Sequence, residues 1–153
     1  MLIEDGKIIG NGPINEMLTR FDLPLSHSGD AISIFDARVM SRDTDFNLMH
    51  LEFKGGQFIV PDNKLPIESL VRIRVAARDV SITKKKQTDT SILNIFPAVV
   101  EEMVPEGDAQ VMVRLTLKGV VLLACLTRKS ASSLKLDQGL SVFIQVKSVA
   151  ILS

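Results

Sequence analysis

The chain repeats one series of strand-forming segments in the same order, and this repeat limits the possible folds more than any other feature of the sequence. Three pairs of segments carry the repeat: residues 35–39 with 96–100, 51–56 with 115–120, and 71–75 with 142–146. The offset between the copies grows from 61 to 64 to 71 residues along the chain. A repeat of this length indicates one small β module used twice.

Alternating apolar and polar residues predict the strands of both copies. The first copy contains them at about residues 31–40, 46–53, 57–61, 70–76 and 79–83, and the second at about 91–103, 110–117, 120–126, 141–147 and 149–152. One short helix is predicted from Thr127 to Leu134, with Thr127 as its N-cap and Ser130 at the third helical position. Five short strands per copy favour an all-β fold of two OB-like barrel modules. The alternative is one β-sandwich formed by both copies.

The repeat also predicts the domain boundaries. The first module covers residues 31–83 and the second covers residues 90–153, and the polar segment 84–89 connects them. Residues 1–25 differ from both copies, because they combine an Asp-Gly hairpin signal with a short helical pattern that starts at a proline. We expect residues 26–30 to be a linker.

Composition excludes several classes of protein. Hydrophobic residues make up 46% of the chain, which is enough for a core, and the net formal charge is zero. A neutral chain without Trp or Tyr is a poor match for nucleic-acid binding, which uses basic surfaces and aromatic stacking. Cys125 is the single cysteine, so no disulfide can form within the chain, and a reducing compartment fits. Neither a membrane-spanning run nor a signal peptide is predicted.

The sequence contains no pattern typical of an enzyme site, and we predict neither catalytic residues nor a metal site. His27 and His50 do not have the spacing of metal ligands, and Cys125 lies in an apolar run typical of a buried thiol. The phosphate-binding motifs of nucleotide-binding proteins are absent from the 153 residues. A basic stripe that includes Arg72 and Arg74 could contact phosphates, but zero net charge favours a solvated sheet face.

Hydroxyl and amide donors collect at three places in the second copy, and together they could bind an anion. The helix start provides Thr127 and Ser130, the opening strand provides Thr90–Ser91, and the strand that ends at Val146 is followed by Lys147–Ser148. The first copy has Ala76–Ala77 after the corresponding strand. A set of groups that only donate hydrogen bonds suits a tetrahedral oxyanion. The alternative is that these residues are ordinary helix caps and turn residues.

The same stretches resemble a known family. Residues 90–100 (TSILNIFPAVV), 126–139 (LTRKSASSLKLDQG) and 142–149 (VFIQVKSV) resemble the opening strand, short helix and closing strand of the molybdate-binding Mop module. Residues 75–80 are similar to the closing motif in a degenerate copy. The whole arrangement resembles the C-terminal regulatory (TOBE) region of the ATP-binding subunit of molybdate ABC importers. Residues 4–18 resemble the last hairpin and helix of an ABC ATPase domain, so residues 1–25 are expected to be its C-terminal remnant and the chain a C-terminal fragment.

The resemblance implies a set of oxyanion contacts. One module would provide Ser91, the backbone N–H of Ile92, Lys147 and Ser148, and a neighbouring module would provide Thr127 and Ser130. The family often has an arginine where this chain has Leu93, and its loss removes roughly 1.5–3 kcal/mol of charge-assisted bonding if no other group replaces it.

The resemblance also implies a function. We expect a regulatory domain that binds molybdate or tungstate, has no cofactor and forms a homodimer. It would contact the transporter membrane subunit through the missing ATPase domain, in the cytoplasm at the inner face of the cell membrane. The full-length parent would be a transport ATPase, although this chain is not expected to be an enzyme. The alternatives are a ligand-free dimerisation platform and a nucleic-acid-binding OB module.

Overall fold

The computed structural model describes residues 31–152, so the predicted hairpin and helix of residues 1–25 and the linker 26–30 lie outside the described residues. The described part contains ten strands, one α-helix and one 3-10 helix. In chain order these are β1 (Ile32–Asp43), β2 (Leu48–Phe53), β3 (Gly56–Pro61), β4 (Leu70–Ala76), the 3-10 helix (Ala77–Asp79), β5 (Val80–Thr83), β6 (Asn94–Glu106), β7 (Gln110–Leu117), β8 (Val120–Thr127), α1 (Arg128–Ser133), β9 (Ser141–Val146) and β10 (Ala150–Leu152).

The strands form two five-stranded sheets that exchange one strand each. The first sheet has the order β10-β4-β1-β2-β3, and the second has the order β5-β9-β6-β7-β8. Strand β5 therefore pairs in the sheet of the second copy, and β10 pairs in the sheet of the first. The boundaries 31–83 and 90–153 stay a prediction about the repeat, and the hydrogen-bonded sheets cross them.

Alternation of buried and exposed residues explains why these segments are strands. In β4, the side chains of Val71, Ile73 and Val75 are buried, whereas Arg72 and Arg74 lie on the opposite face. A strand places successive side chains on opposite faces, so this sequence buries one full row of apolar groups only as a strand. The basic stripe is thus the outer face of the first sheet, where Arg72 lies 3.6 Å from the Asp36 carboxylate.

A β-bulge in each long strand allows the sheet to curve. In β1 the register shifts between Val39 and Ser41, and in β6 it shifts between Val100 and Glu102, the positions that correspond in the repeat. Before the bulge, β1 pairs mainly with β4 and β6 pairs mainly with β9. After it, β1 pairs with β2 and β6 pairs with β7. A bulge increases local twist and bends the strand. The predicted all-β fold with two modules and one short helix is confirmed within the described residues.

One hydrophobic core joins the two sheets. Phe58 is fully buried, with its ring centroid 4.8 Å from that of Phe53 and 5.1 Å from that of Phe96. Since Phe96 belongs to the second copy, the aromatic cluster crosses from one module to the other. A Cβ added at Gly55 would lie 2.7 Å from Phe53 Cε2 and 2.9 Å from Leu117 Cγ, so the β2–β3 turn packs closely against the second copy.

Candidate functional site

Two of the predicted binding segments meet at one end of the second sheet. Asn94 is the first residue of β6 and pairs with Val146, the last residue of β9, in an antiparallel ladder. The segments 91–93 and 147–148 therefore continue from the last pair of the same ladder. Val146 also pairs with Val80, and the Lys147 backbone N–H donates to the Asp79 carbonyl at 2.8 Å. The end of the 3-10 helix thus lies beside the Lys147–Ser148 segment, on the side of β9 away from β6.

Lys147 provides a cation at this end of the sheet. Its side chain is exposed. Within residues 31–152 no carboxylate oxygen lies within 4 Å of its ammonium group. The charge is therefore available to an anion without first breaking an ion pair in the described part of the chain.

Ser148 already has a partner, and this partner was not expected. Its hydroxyl donates to the Asp79 carboxylate, with Oγ 3.2 Å from Oδ2. Asp79 brings an acceptor and a negative charge to this position, which the prediction of a site made only of donors did not include. To bind an anion, the Ser148 hydroxyl must rotate away from Asp79, which a serine O–H can do.

The Ser91–Ile92 segment forms a local turn. The Ile92 N–H donates to Thr90 Oγ1 at 3.1 Å, which is a common turn for a threonine two residues earlier. Ser91 is exposed and Ile92 is partly buried. The Ile92 N–H must therefore leave or share its bond with Thr90 before it can contact a ligand.

Thr127 and Ser130 cap α1 as predicted. Thr127 has an extended backbone, and its Oγ1 accepts from the Ser130 N–H at 3.0 Å. The two hydroxyls also lie 3.0 Å apart, which is hydrogen-bond distance. Both residues are exposed, and the helix is six residues long. Local capping chemistry accounts for both side chains, whether or not they meet a ligand.

The cap lies at the opposite end of the sheet from Lys147. Thr127 pairs with Gln110, which pairs with Glu106 at the end of β6, whereas Asn94 and Val146 pair at its start. A strand of this length spans about 40 Å when fully extended, at ~3.3 Å per residue. Although the bulge shortens this distance, one copy of the second sheet does not bring the two groups of donors together. A complete set of six contacts therefore needs another module.

Two arginines that the site prediction missed share a cleft with Ser148. Arg74, Arg78 and Asp79 line a cleft of about 450 Å³ together with Ser148. Arg78 precedes Ile82 by four residues, and Lys147 precedes Ile151 by four residues. Because Ile82 pairs with Ile144 and Ile151 pairs with Ile73, counting back from the exchanged strands matches Arg78 with Lys147. The ladder pairs Ser33–Val75 and Asn94–Val146 instead match Ala76 with Lys147.

The first copy thus has a cation, Arg78, two residues after the position that the ladders match with Lys147. The sequence shows Arg74 and Arg78 as basic residues, but only the strand exchange reveals that they line one cleft with Ser148.

Two other side chains that could carry chemistry, Glu101 and Cys125, have surroundings that indicate a structural role. Glu101 forms an ion pair with Arg114, and Cys125 is partly buried. Burial, and secondarily the charge of Glu106, raise the pKa of the Cys125 thiol, which disfavours a reactive thiolate.

Within residues 31–152 no three His, Cys, Asp or Glu side chains lie close enough to hold a metal ion. Nor does that stretch contain a helix with the length and apolar character to cross a membrane.

The fold belongs to the class of Mop or OB-like proteins. A solved structure of similar fold is that of the cytoplasmic molybdate-binding protein ModG with molybdate bound, with a TM-score of 0.68. The alignment covers 78% of this chain and 94% of ModG at 20% sequence identity. This likeness defines the architecture of the described modules.

Residues 90–152 match the model of the TOBE domain family. The whole chain is similar to the C-terminal region of proteins named molybdenum import ATP-binding protein ModC. The relative from Albidiferax ferrireducens is 45% identical over 99% of this chain, and that from Aromatoleum aromaticum is 41% identical over 99%. The aligned residues make up 41% and 40% of those relatives, so the chain spans about two fifths of their length.

Proposed function

We propose that this chain is a regulatory oxyanion-binding domain of the ATP-binding subunit of a molybdate importer, with molybdate or tungstate as its ligand. The observation that carries the proposal is the ladder pair Asn94–Val146, from which the segments with Ser91–Ile92 and Lys147–Ser148 continue, within residues that match the TOBE domain family. The names of the ModC relatives support the choice of ligand.

Charged residues of both copies determine the electrostatic potential at the proposed site. Lys147 would supply the main charge, and each charge-assisted hydrogen bond to the anion would contribute about 1.5–3 kcal/mol. Asp79 opposes an anion, and Leu93 provides no charge. Arg78 and Arg74, on the wall of the cleft that contains Ser148, supply two positive charges that oppose the single negative charge of Asp79. We therefore include both arginines in the field that attracts the ligand.

A second copy of the chain would complete the site, since Thr127 and Ser130 lie at the far end of their own sheet. The exposed apolar side chains of Leu93 and Val99 support a homodimer that covers this region. An anion held between two copies would favour the dimer arrangement that binds it more tightly. In the whole protein, that shift would restrain the importer when the cytoplasmic oxyanion is plentiful, through an ATPase domain that contacts the membrane subunit.

Calorimetric titration of the chain with molybdate tests the proposal. Lys147→Ala should weaken binding by about tenfold or more, because one charge-assisted bond is worth at least ~1.4 kcal/mol. Lys85→Ala is the matched control, since Lys85 is an exposed lysine of the polar connector and should leave affinity unchanged. Equal affinities of Lys147→Ala and the parent would place the site elsewhere.

A ligand-free dimerisation platform is the second candidate function. The exposed fraction of Leu93 is 58%, at the position where the family often has an arginine, and this favours an apolar contact over an anion contact. Sedimentation velocity with and without molybdate separates the two functions. A dimer that forms equally well in both conditions, in a chain that produces no heat with millimolar molybdate, would support the platform.

A further inference from the structure

Two buried polar side chains join the modules to each other. Ser33 and Asn94 are the buried polar residues of the described part, with exposed fractions of 0% and 8%. Asn94 Oδ1 accepts from the Ile59 N–H at 2.7 Å, and Asn94 Nδ2 donates to the Ile59 carbonyl at 3.1 Å. Ser33 Oγ accepts from the Leu123 N–H at 3.2 Å. Each side chain thus binds the backbone of the outermost strand of the other sheet.

The two contacts are equivalent positions of the repeat. Ser33 corresponds to Asn94 with the offset of 61 that relates β1 to β6, and Ile59 corresponds to Leu123 with the offset of 64. Both contacts satisfy a backbone group at a sheet edge, as a buried edge requires. The second copy makes two hydrogen bonds to the other module where the first makes one. The extra bond is therefore a property of the copy that carries the candidate site.

Asn94 lies where the two binding segments join the sheet. It follows Ser91–Leu93 directly, and its backbone pairs with Val146, which directly precedes Lys147. With both ends of its amide bound to Ile59, Asn94 has a fixed side-chain orientation, and so has the backbone on either side of it. Ile59 belongs to β3, so the backbone that holds the Asn94 side chain belongs to the first copy.

We infer that Asn94 is a positioning residue for the anion site: it holds Ser91–Ile92 in register with Lys147 by clamping the start of β6 to strand β3 of the other module. The inference rests on the proposed function for its ligand. It means that the first copy, which has fewer donors of its own, takes part in binding by supplying the Ile59 backbone as the support. Anion affinity should then depend on a residue that touches no anion.

The test compares Asn94→Ala with Ser33→Ala, which removes the equivalent contact from the copy without the site. Molybdate affinity, measured by calorimetry, should fall about tenfold or more in Asn94→Ala, the smallest effect found when a residue that orients a metal ligand is removed. Ser33→Ala should stay within about twofold of the parent. Asn94→Ser, which can restore one bond, should recover part of the loss and serves if Asn94→Ala does not fold.

A second measurement does not depend on any ligand. In ¹⁵N relaxation of the anion-free chain, the order parameters of Ile92 and Leu93 should fall in Asn94→Ala and stay at the parent value in Ser33→Ala. If the parent binds no molybdate, the proposed function fails while the relaxation data still test the positioning. Equal losses of affinity in both variants, or unchanged order at Ile92 and Leu93 in Asn94→Ala, would overturn the inference.

Discussion

Replacing Phe58 with alanine should destabilise both halves of the molecule together. Phe58 is fully buried, and its ring is within 6.0 Å, centroid to centroid, of three other phenylalanine rings, one of them from the second copy. Deleting a buried phenylalanine side chain costs about 3–5 kcal/mol, because apolar contacts are lost and a cavity remains. Domains of this size have a total stability of about 5–15 kcal/mol, so the loss is a large share of it.

Urea unfolding measures this loss. The chain has no Trp or Tyr, so far-ultraviolet circular dichroism replaces fluorescence as the probe. With a slope of about 2 kcal/mol per molar urea, the midpoint should fall by about 2 M. Phe46→Ala is the matched control: its side chain is 74% exposed and its removal should change stability by less than about 0.5 kcal/mol. A loss below about 1 kcal/mol, or separate unfolding of the two sheets by NMR, would refute the shared core.

Two further predictions concern ionisable groups. Alkylation of Cys125 should be slower than that of a free cysteine at the same pH, with its half-maximal rate at higher pH, because burial raises the thiol pKa; rates equal to those of the urea-unfolded chain would contradict this. A hydrogen bond from the Lys64 N–H, and secondarily the Arg42 side chain, lower the pKa of Asp62 below its unfolded value despite partial desolvation. The ionised carboxylate therefore stabilises the fold above about pH 4, and this contribution is lost as pH falls through the folded pKa. Urea midpoints below pH 4 should therefore decline less in Asp62→Asn than in the parent, and identical declines would rule out this role.

Local features of the fold could be predicted from the sequence. The N-cap at Thr127 and the strand faces in β4 depend on neighbouring residues, and both are found as expected. The partners of the last strands could not be predicted in the same way. Alternation determines which face of a strand is buried, but any open sheet edge of suitable register can accept that strand. The sequence therefore predicted β5 and β10 as strands without indicating that they exchange sheets.

The candidate site shows the same limit. The segments around Ser91 and Lys147 were predicted from residue type, and the ladder between β6 and β9 places them at one end of the sheet. The Asp79 carboxylate comes from the other copy, 69 residues before Ser148, and Arg78 of the same copy lines the cleft that contains Ser148. No spacing rule connects residues so far apart in sequence, and only the crossing of the exchanged strands brings them together.

The exchange of β5 and β10 makes each repeat incomplete by itself. A chain with one repeat would have a four-stranded sheet with a vacant edge, and a last strand without any sheet to join. Two such chains could fill each other's edges, so the present molecule is equivalent to an intertwined pair of subunits that a short polar segment has made continuous. Cutting that segment should leave two pieces that hold together, because each still carries the outer strand of its neighbour.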